Sequence, residues 1–374
     1  MVRSPKRLLI AAGALACANL PAMAQTAAAT PSGNAPSSVS VYGVLDVAAY
    51  SKQPSGDSRL RTLQSGGMTT SRFGFTGTDD LGGGWRSLFD ISGFIRVDTG
   101  DSGRSATDPF FGRYAFVGLS SPGLGSIRLG RITTATFLSE LSFGAFLDSS
   151  NLGPYVLHTF QPSAGQPMIT ANGLLDSAWS NSMSYTLPAF SSIPGLTASV
   201  QVAASEGTAA GRRVGGGVSY RNDSFGASFT FDDVRNGTLS VGAPTAALAT
   251  SARPQYTAND VRTYQGGAYY DFKVIRLWAQ VNQTTSSNAT PTRIKLTTSA
   301  LSATVPIGVG NFLVEWAHTN NARTAFASLE RDTQGVGYDH FISKRTDLYA
   351  VALRDKVSHL SSGTGLALGI RHRF

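Results

Sequence analysis

The sequence predicts an all-β chain, a transmembrane antiparallel β-barrel of 16 strands with long extracellular loops and short periplasmic turns. Three observations carry this expectation. The last ten residues alternate: Leu366, Leu368, Ile370 and Phe374 share one face with His372, while Ala367, Gly369, Arg371 and Arg373 share the other. That is the period of a strand with one face for hydrocarbon and one for water. Beyond an N-terminal leader, no stretch approaches the ~20 apolar residues that a spanning helix requires. The connections between alternating segments also switch between short and long, as they do when one rim of a barrel faces the periplasm and the other faces outward.

The N-terminus reads as an export signal. Arg3, Lys6 and Arg7 precede an apolar run from Leu8 to Leu20, and Ala22-Met23-Ala24 supplies an A-x-A cleavage pattern. Residues 1–24 are therefore a cleaved leader, residues 25–37 a loose Ala/Thr/Pro/Ser/Gly lead-in, and residues 38–374 a single barrel domain. Cys17, the only cysteine, falls in the leader, so the exported part relies on hydrogen bonding and packing without disulfides. Without Arg3, Lys6 and Arg7, the count is 28 Lys+Arg against 23 Asp+Glu. A basic surplus suits anionic lipid or anionic solutes, and export argues against nucleic acid.

From Val39 onward, alternating segments follow one another. Val39, Val41, Leu45 and Val47 alternate with Ser40, Tyr42 and Asp46; Phe73 and Phe75 alternate with Arg72, Gly74 and Thr76. Met183, Tyr185 and Leu187, then Leu196, Val200 and Val202, then Phe225, Phe229 and Phe231 repeat the pattern against polar neighbours. About sixteen such segments fit, each near the length of a tilted membrane strand. Short connections are Asp79 to Gly84, Ser121 to Gly125, Asn222 to Ser224, Pro306 to Gly310 and Ser343 to Asp347. Long ones are Ser51 to Thr70, Asp98 to Pro109, Ile132 to Ser180, Val234 to Asp260 and Asn320 to Arg331. A sheet in hydrocarbon cannot leave edge N–H and C=O groups unpaired, so the segment around Val41 must sit beside Gly365–Phe374. A soluble β-sandwich also alternates, but its turns have no reason to keep a long/short rhythm.

A series of motifs also resembles a known family. Ser71-Arg72-Phe73-Gly74-Phe75-Thr76-Gly77 with Asp80-Leu81-Gly82-Gly83-Gly84, Phe116-Val117-Gly118-Leu119-Ser120, Arg128-Leu129-Gly130-Arg131, Ser343-Lys344-Arg345-Thr346-Asp347-Leu348-Tyr349-Ala350 and Gly369-Ile370-Arg371-His372-Arg373-Phe374 resemble, in this order and spacing, the general porins of Gram-negative outer membranes, particularly the β-proteobacterial branch. The resemblance implies a homotrimer in the outer membrane, in contact with its lipid and lipopolysaccharide. It implies passive diffusion of small hydrophilic solutes and ions, and recognition of the terminal Phe374 by the barrel-assembly machinery as an insertion signal. It also implies that the third external loop folds inward to narrow the pore. One family motif is missing, because Ser139-Glu140-Leu141-Ser142-Phe143-Gly144 stands where enterobacterial members carry Pro-Glu-Phe-Gly.

A 16-stranded barrel is too wide for side chains to fill and encloses water, so something must narrow it. The longest connection, Ile132 to Ser180, is the candidate. Its early part, Phe137 to Asp148, holds three phenylalanines and only two charges, Glu140 and Asp148, a composition suited to packing inside the barrel. Opposite this loop, the resemblance places the basic residues Arg72, Arg113 and Arg131. Arg72 opposes Phe73 and Phe75, and Arg113 opposes Tyr114 and Phe116, so both are expected to face the lumen with those aromatics turned to lipid. Arg128 and Arg131 differ by an odd step and can share the lumen only if the strand bulges or ends near Gly130. Arg86, Asp90 and Arg96, on one parity, are expected to add to the wall. Lumen arginines outnumber acids in this count, which predicts weak anion preference.

Other chemistry finds no support. His158, His318, His340, His359 and His372 lack metal-ligand spacing, and no nucleophile elbow, P-loop or dinucleotide fingerprint occurs. No cofactor and no enzymatic activity are expected. A substrate-specific channel is the alternative function, with a barrel enzyme or an adhesin behind it. Trp85, Tyr349 and Phe374 are expected in aromatic girdles at the interfaces.

Overall fold

The computed structural model describes residues 37–106, 108–160, 167–169, 177–205, 211–235, 238–241, 255–288, 294–323 and 328–374. The leader, and the lead-in up to residue 36, lie outside them. The first six strands are β1 (Ser38–Lys52), β2 (Leu60–Ser65), β3 (Arg72–Gly82), β4 (Trp85–Phe94), β5 (Tyr114–Ser121) and β6 (Gly125–Thr133). The connection after β6 carries two short helices, α1 (Ala135–Glu140) and α2 (Pro154–Phe160), and the brief strand β7 (Pro167–Ile169). There follow β8 (Ala178–Thr186), β9 (Leu196–Ala203), β10 (Arg213–Arg221), β11 (Phe225–Arg235), β12 (Thr238–Val241) and β13 (Gln255–Asp271). The chain ends through β14 (Arg276–Asn288), β15 (Ile294–Ile307), β16 (Gly310–Arg323), β17 (Leu329–Phe341), β18 (Thr346–Val357) and β19 (Gly363–Arg373).

Sixteen of these strands, all but β2, β7 and β12, form one closed antiparallel barrel. Each pairs with its neighbour in chain order, and β1 closes on β19 in register from Val44↔Arg373 to Lys52↔Gly365. Gly43 and Phe374 complete the seam by exchanging both backbone hydrogen bonds at 3.1 Å. A Cβ on Gly43 would run into the Phe374 ring; glycine leaves that ring its seat. No free edge remains in the wall, as hydrocarbon demands.

The faces alternate as the terminal segment predicts. Leu368 is 57 % exposed, whereas Ala367 beside it is 0 % exposed and faces inward. Val117, Leu129, Val200 and Leu301 stand outward on their strands. Among the described residues, no helix is long and apolar enough to cross a membrane; crossing is done by strands. Two expectations about aromatic residues fail. Tyr349, expected at an interface, is buried inside the barrel, with its ring lying over Gly369 and its hydroxyl donating to Asp46. Tyr114 and Phe116, expected toward lipid, are also inside, while Val117 and Leu119 take the outer face.

The lumen is partly filled from two directions. The connection after β6 runs inward: α1 packs against β10, β11 and β13, and α2 against β15, β16 and β17. Between them Phe143, Ala145, Phe146 and Leu152 form an apolar cluster with Ala48, Tyr50, Trp278, Leu313, Tyr349 and Val351 of the wall. Strand glycines make room for this loop. A Cβ on Gly267 would lie 2.7 Å from Phe143, and one on Gly335 would lie 3.0 Å from Pro154, which is a close approach of the kind glycine in a strand permits. The second inward element lies within what reads in sequence as a plain external connection. β1 pairs with β3 along Ser38–Val44 but with β2 along Val47–Lys52, and residues 66–71 leave the wall between them. Asp46 holds this turn, accepting hydrogen bonds from the Gly67 and Thr69 amides at 2.9 and 2.8 Å. Met68 on the same turn joins the apolar cluster.

Candidate pore constriction

On the side of the lumen formed by β1 and β3 to β6, away from the strands on which the two helices pack, the inward charged side chains are mostly arginines. Arg72 opens β3, inward of Phe73 and Phe75, and its Nη1 donates to Asp148 Oδ2 of the loop at 2.8 Å and to the Thr70 carbonyl at 3.0 Å. The pair is nearly buried, with 7 % exposure on each side chain. Arg113 also reaches the lumen, but not by the strand pleat. It precedes β5, and its guanidinium donates to the Tyr42 hydroxyl at 3.0 Å while lying over the Tyr114 ring. The Tyr42 hydroxyl in turn donates to Asp90, 2.9 Å from each carboxylate oxygen. Arg113 lies within electrostatic reach of Arg72, Asp90 and Asp148, and Arg128 within reach of Asp90. Arg128 lies over the Phe116 ring, 5.1 Å from its centroid. Arg86 shares this inner face and is buried.

Three sequence-predicted residues stand elsewhere. Glu140, at the end of α1, faces away from the arginines. Its carboxyl meets Asn282 of β14 at 3.4 Å and Gln265 of β13, whose amide donates to it at 3.0 Å in the orientation its neighbours require. Burial, and then repulsion from Asp232, pushes this carboxyl well above its usual range and holds it toward the neutral form. The reason is loop direction: α1 lies flat on the wall, so the side chain at its end meets strands rather than the channel. Arg131 is paired across the sheet with Ala115 on the outward face, in step with Ile127 and Leu129. Its Nε donates to the Gly112 carbonyl at 2.7 Å and its Nη1 to Ser180 Oγ at 3.0 Å. An irregularity does occur beside Gly130, whose φ is 135°, but the extra residue belongs to β8, so the parity of Arg131 is unchanged. Arg96 lies past the end of β4 in a turn and pairs with Asp101 at 3.1 Å; the strand is too short to carry it into the wall.

Sequence reasoning also missed the groups that hold the loop. Glu315 of β16 accepts a hydrogen bond from the backbone amide of Tyr155 at 2.7 Å, and Ser302 Oγ of β15 accepts one from the amide of Ala145 at 3.0 Å. His158 of α2 is fixed between Thr319 of β16 and Thr333 of β17 at 2.8 and 2.7 Å, and burial followed by the nearby Arg331 pushes its pKa well below the usual range. Ser149 and Asn151 bond the carbonyls of Gly67 and Gly66 at 2.7 Å each, which joins the two inward elements to each other. A glutamate on the inner parity of a strand, as Glu315 is, was the available signal. Among the described residues no cluster suited to a metal ion occurs.

A closed barrel of sixteen strands with an inward loop after the fifth wall strand is an architecture shared with known proteins. The profile of the Gram-negative porin family matches residues 11–360. The chain belongs to the Gram-negative porins. The outer membrane porin protein 32 of Delftia acidovorans is 32 % identical over 374 residues, covering 93 % of this chain and 97 % of that protein. Among solved structures, an anion-selective porin from Comamonas acidovorans superposes with a TM-score of 0.71 at 26 % identity, covering 90 % of this chain and 100 % of that one. OmpT of Vibrio cholerae, folded in vitro and in a trimer form, superposes with a TM-score of 0.65 at 12 % identity, covering 91 % of this chain and 100 % of that one, a likeness of fold alone. This porin is an outer-membrane, multi-pass β-barrel forming a diffusion channel.

Proposed function

We propose that this porin admits small hydrophilic solutes and ions by passive diffusion, with a preference for anions set by Arg72, Arg86, Arg113 and Arg128 against Asp90 and Asp148. The carrying observation is the imbalance of that cluster once Glu140 is turned away. Four permanently charged guanidinium groups face two carboxylates, in a space where low-dielectric walls strengthen the field. The narrowing between Asp148 and the wall orders water and favours polar solutes over apolar ones of equal size. The anion-selective neighbour is consistent with this reading. Assembly as a homotrimer in outer-membrane lipid and lipopolysaccharide follows the resemblance to trimeric relatives, and Phe374, seated outward beside Gly43, is well placed to be read by the barrel-assembly machinery. Residues 1–24 act as the cleaved leader in the same reading.

Reversal potential in a potassium chloride gradient tests the proposal. The wild-type channel is expected to favour chloride, and Arg113→Glu to shift the potential toward potassium; cation selectivity in the wild type, or no shift in the variant, contradicts it.

A further inference from the structure

A second part of the lumen lies beneath α1, on the side of the short turns, away from Arg72 and Asp148. Here a cavity of about 470 Å³ opens between the underside of the loop and the inner faces of β5, β6 and β8 to β11. Its lining is of two kinds. Leu138 and Phe143 of the loop, with Ile132 and Leu196, give an apolar side, while Arg128 and Arg221 bring charge to opposite margins. Arg221, at the end of β10, lies over the Phe143 ring, 4.7 Å from its centroid, and Arg128 lies over Phe116. Both guanidinium groups are thus braced on aromatic faces that order them before any solute arrives. Ser120 and Ser126, a cross-strand pair at the cavity wall, are 5 % and 3 % exposed, and their hydroxyls have no hydrogen-bond partner. Buried hydroxyls are ordinarily bonded, and here they stand ready to donate.

From this juxtaposition we infer that the cavity under α1 is a binding subsite for small organic anions with an apolar body, such as aryl carboxylates. The carboxylate is held by Arg221 beside Phe143 and the ring packs against Leu138, while Arg128, Ser120 and Ser126 keep the facing margin polar. A chloride ion or acetate satisfies only the charged half of this lining. The volume falls in the range of small-molecule sites, which combine an apolar lining with a few placed polar groups. The inference rests on the anion preference proposed above and adds a discrimination that a uniform basic lining would not give.

The test is block of chloride current through single channels in a planar bilayer by benzoate and by acetate. Benzoate is expected to block at concentrations roughly tenfold lower than acetate, the gain from burying one modest apolar group. Arg221→Gln should weaken block by benzoate, and Leu138→Ser should abolish the advantage of benzoate while leaving block by acetate in place. If one variant fails to assemble, the other carries the same readout. Benzoate and acetate blocking alike, or benzoate block unaltered in an assembled variant, overturns the subsite. A wild-type reversal potential favouring potassium instead overturns the selectivity on which it rests, and is read separately.

Discussion

Gly43 shows how one residue decides closure. It faces Phe374 across the seam, and any side chain there meets both the terminal ring and the Arg72 carbonyl at 2.9 Å. Overpacking of this kind costs about 1–3 kcal/mol, concentrated where the first and last strands must find each other. Gly43→Val is expected to lower the yield of assembled barrel, measured as the heat-modifiable band on gel electrophoresis. Glu140 and His158 make a second residue-scale case, because both are held neutral inside the docked loop. A carboxyl raised above its unfolded value contributes stability fully below that value and loses it as pH climbs through the raised one. Glu140→Gln should therefore gain on the wild type in thermal midpoint as pH rises above about 4.5. The lowered imidazole has the opposite sign: the contribution of His158 is present above its usual value of 6.5 and lost as pH falls toward its depressed one. Thermal scans in detergent across pH check both, and a pH-independent difference for Glu140→Gln would contradict the buried, neutral assignment.

At the scale of elements, the inward loop depends on wall groups that present acceptors to its backbone. Glu315 receives the Tyr155 amide at 2.7 Å, and leaving that donor unpaired costs about 1–3 kcal/mol. Glu315→Ala should loosen the loop, seen as larger and noisier single-channel conductance; unchanged conductance would remove Glu315 from this role. The same element explains what the sequence allowed to be read and what it concealed. The strands and their outer faces were legible because lipid imposes one rule on every residue that touches it, as along Leu366, Leu368 and Ile370. The inner face obeys no single rule. Where the loop docks, the lumen is apolar and takes Tyr349, and on the basic wall Tyr114 and Phe116 lie beneath Arg113 and Arg128, so all three point inward against the expectation that large aromatics seek lipid. Arg72 could be placed by its pleat, and so could Arg131, whose odd step from Arg128 sets it with Ile127 and Leu129, against what the resemblance implied; Arg96 could not, because its position depends on where β4 ends. Glu140 was misplaced because the direction of a helix inside a cavity is set by what it packs on.

For the whole molecule, the claim is that adjacent residues of each strand live in different solvents, one in hydrocarbon and one in a watery channel narrowed by a folded-in loop. That division lets a sheet of modest hydrophobicity cross a membrane, and it sets conduction and selectivity by the inner residues alone. Because Cys17 is the only cysteine and lies in the expected leader, single cysteines can report on this directly. Ser199 and Val200 of β9 are neighbours, the first lining the inner cavity and the second 55 % exposed on the outer face. The decisive measurement is reaction of Ser199→Cys and Val200→Cys with a charged, water-soluble thiol reagent in intact membranes, followed as a step in channel conductance. Rapid modification with a fall in conductance at residue 199, and none at residue 200, is the predicted result. Equal reactivity at both positions, or modification at residue 199 without any effect on current, would contradict the account.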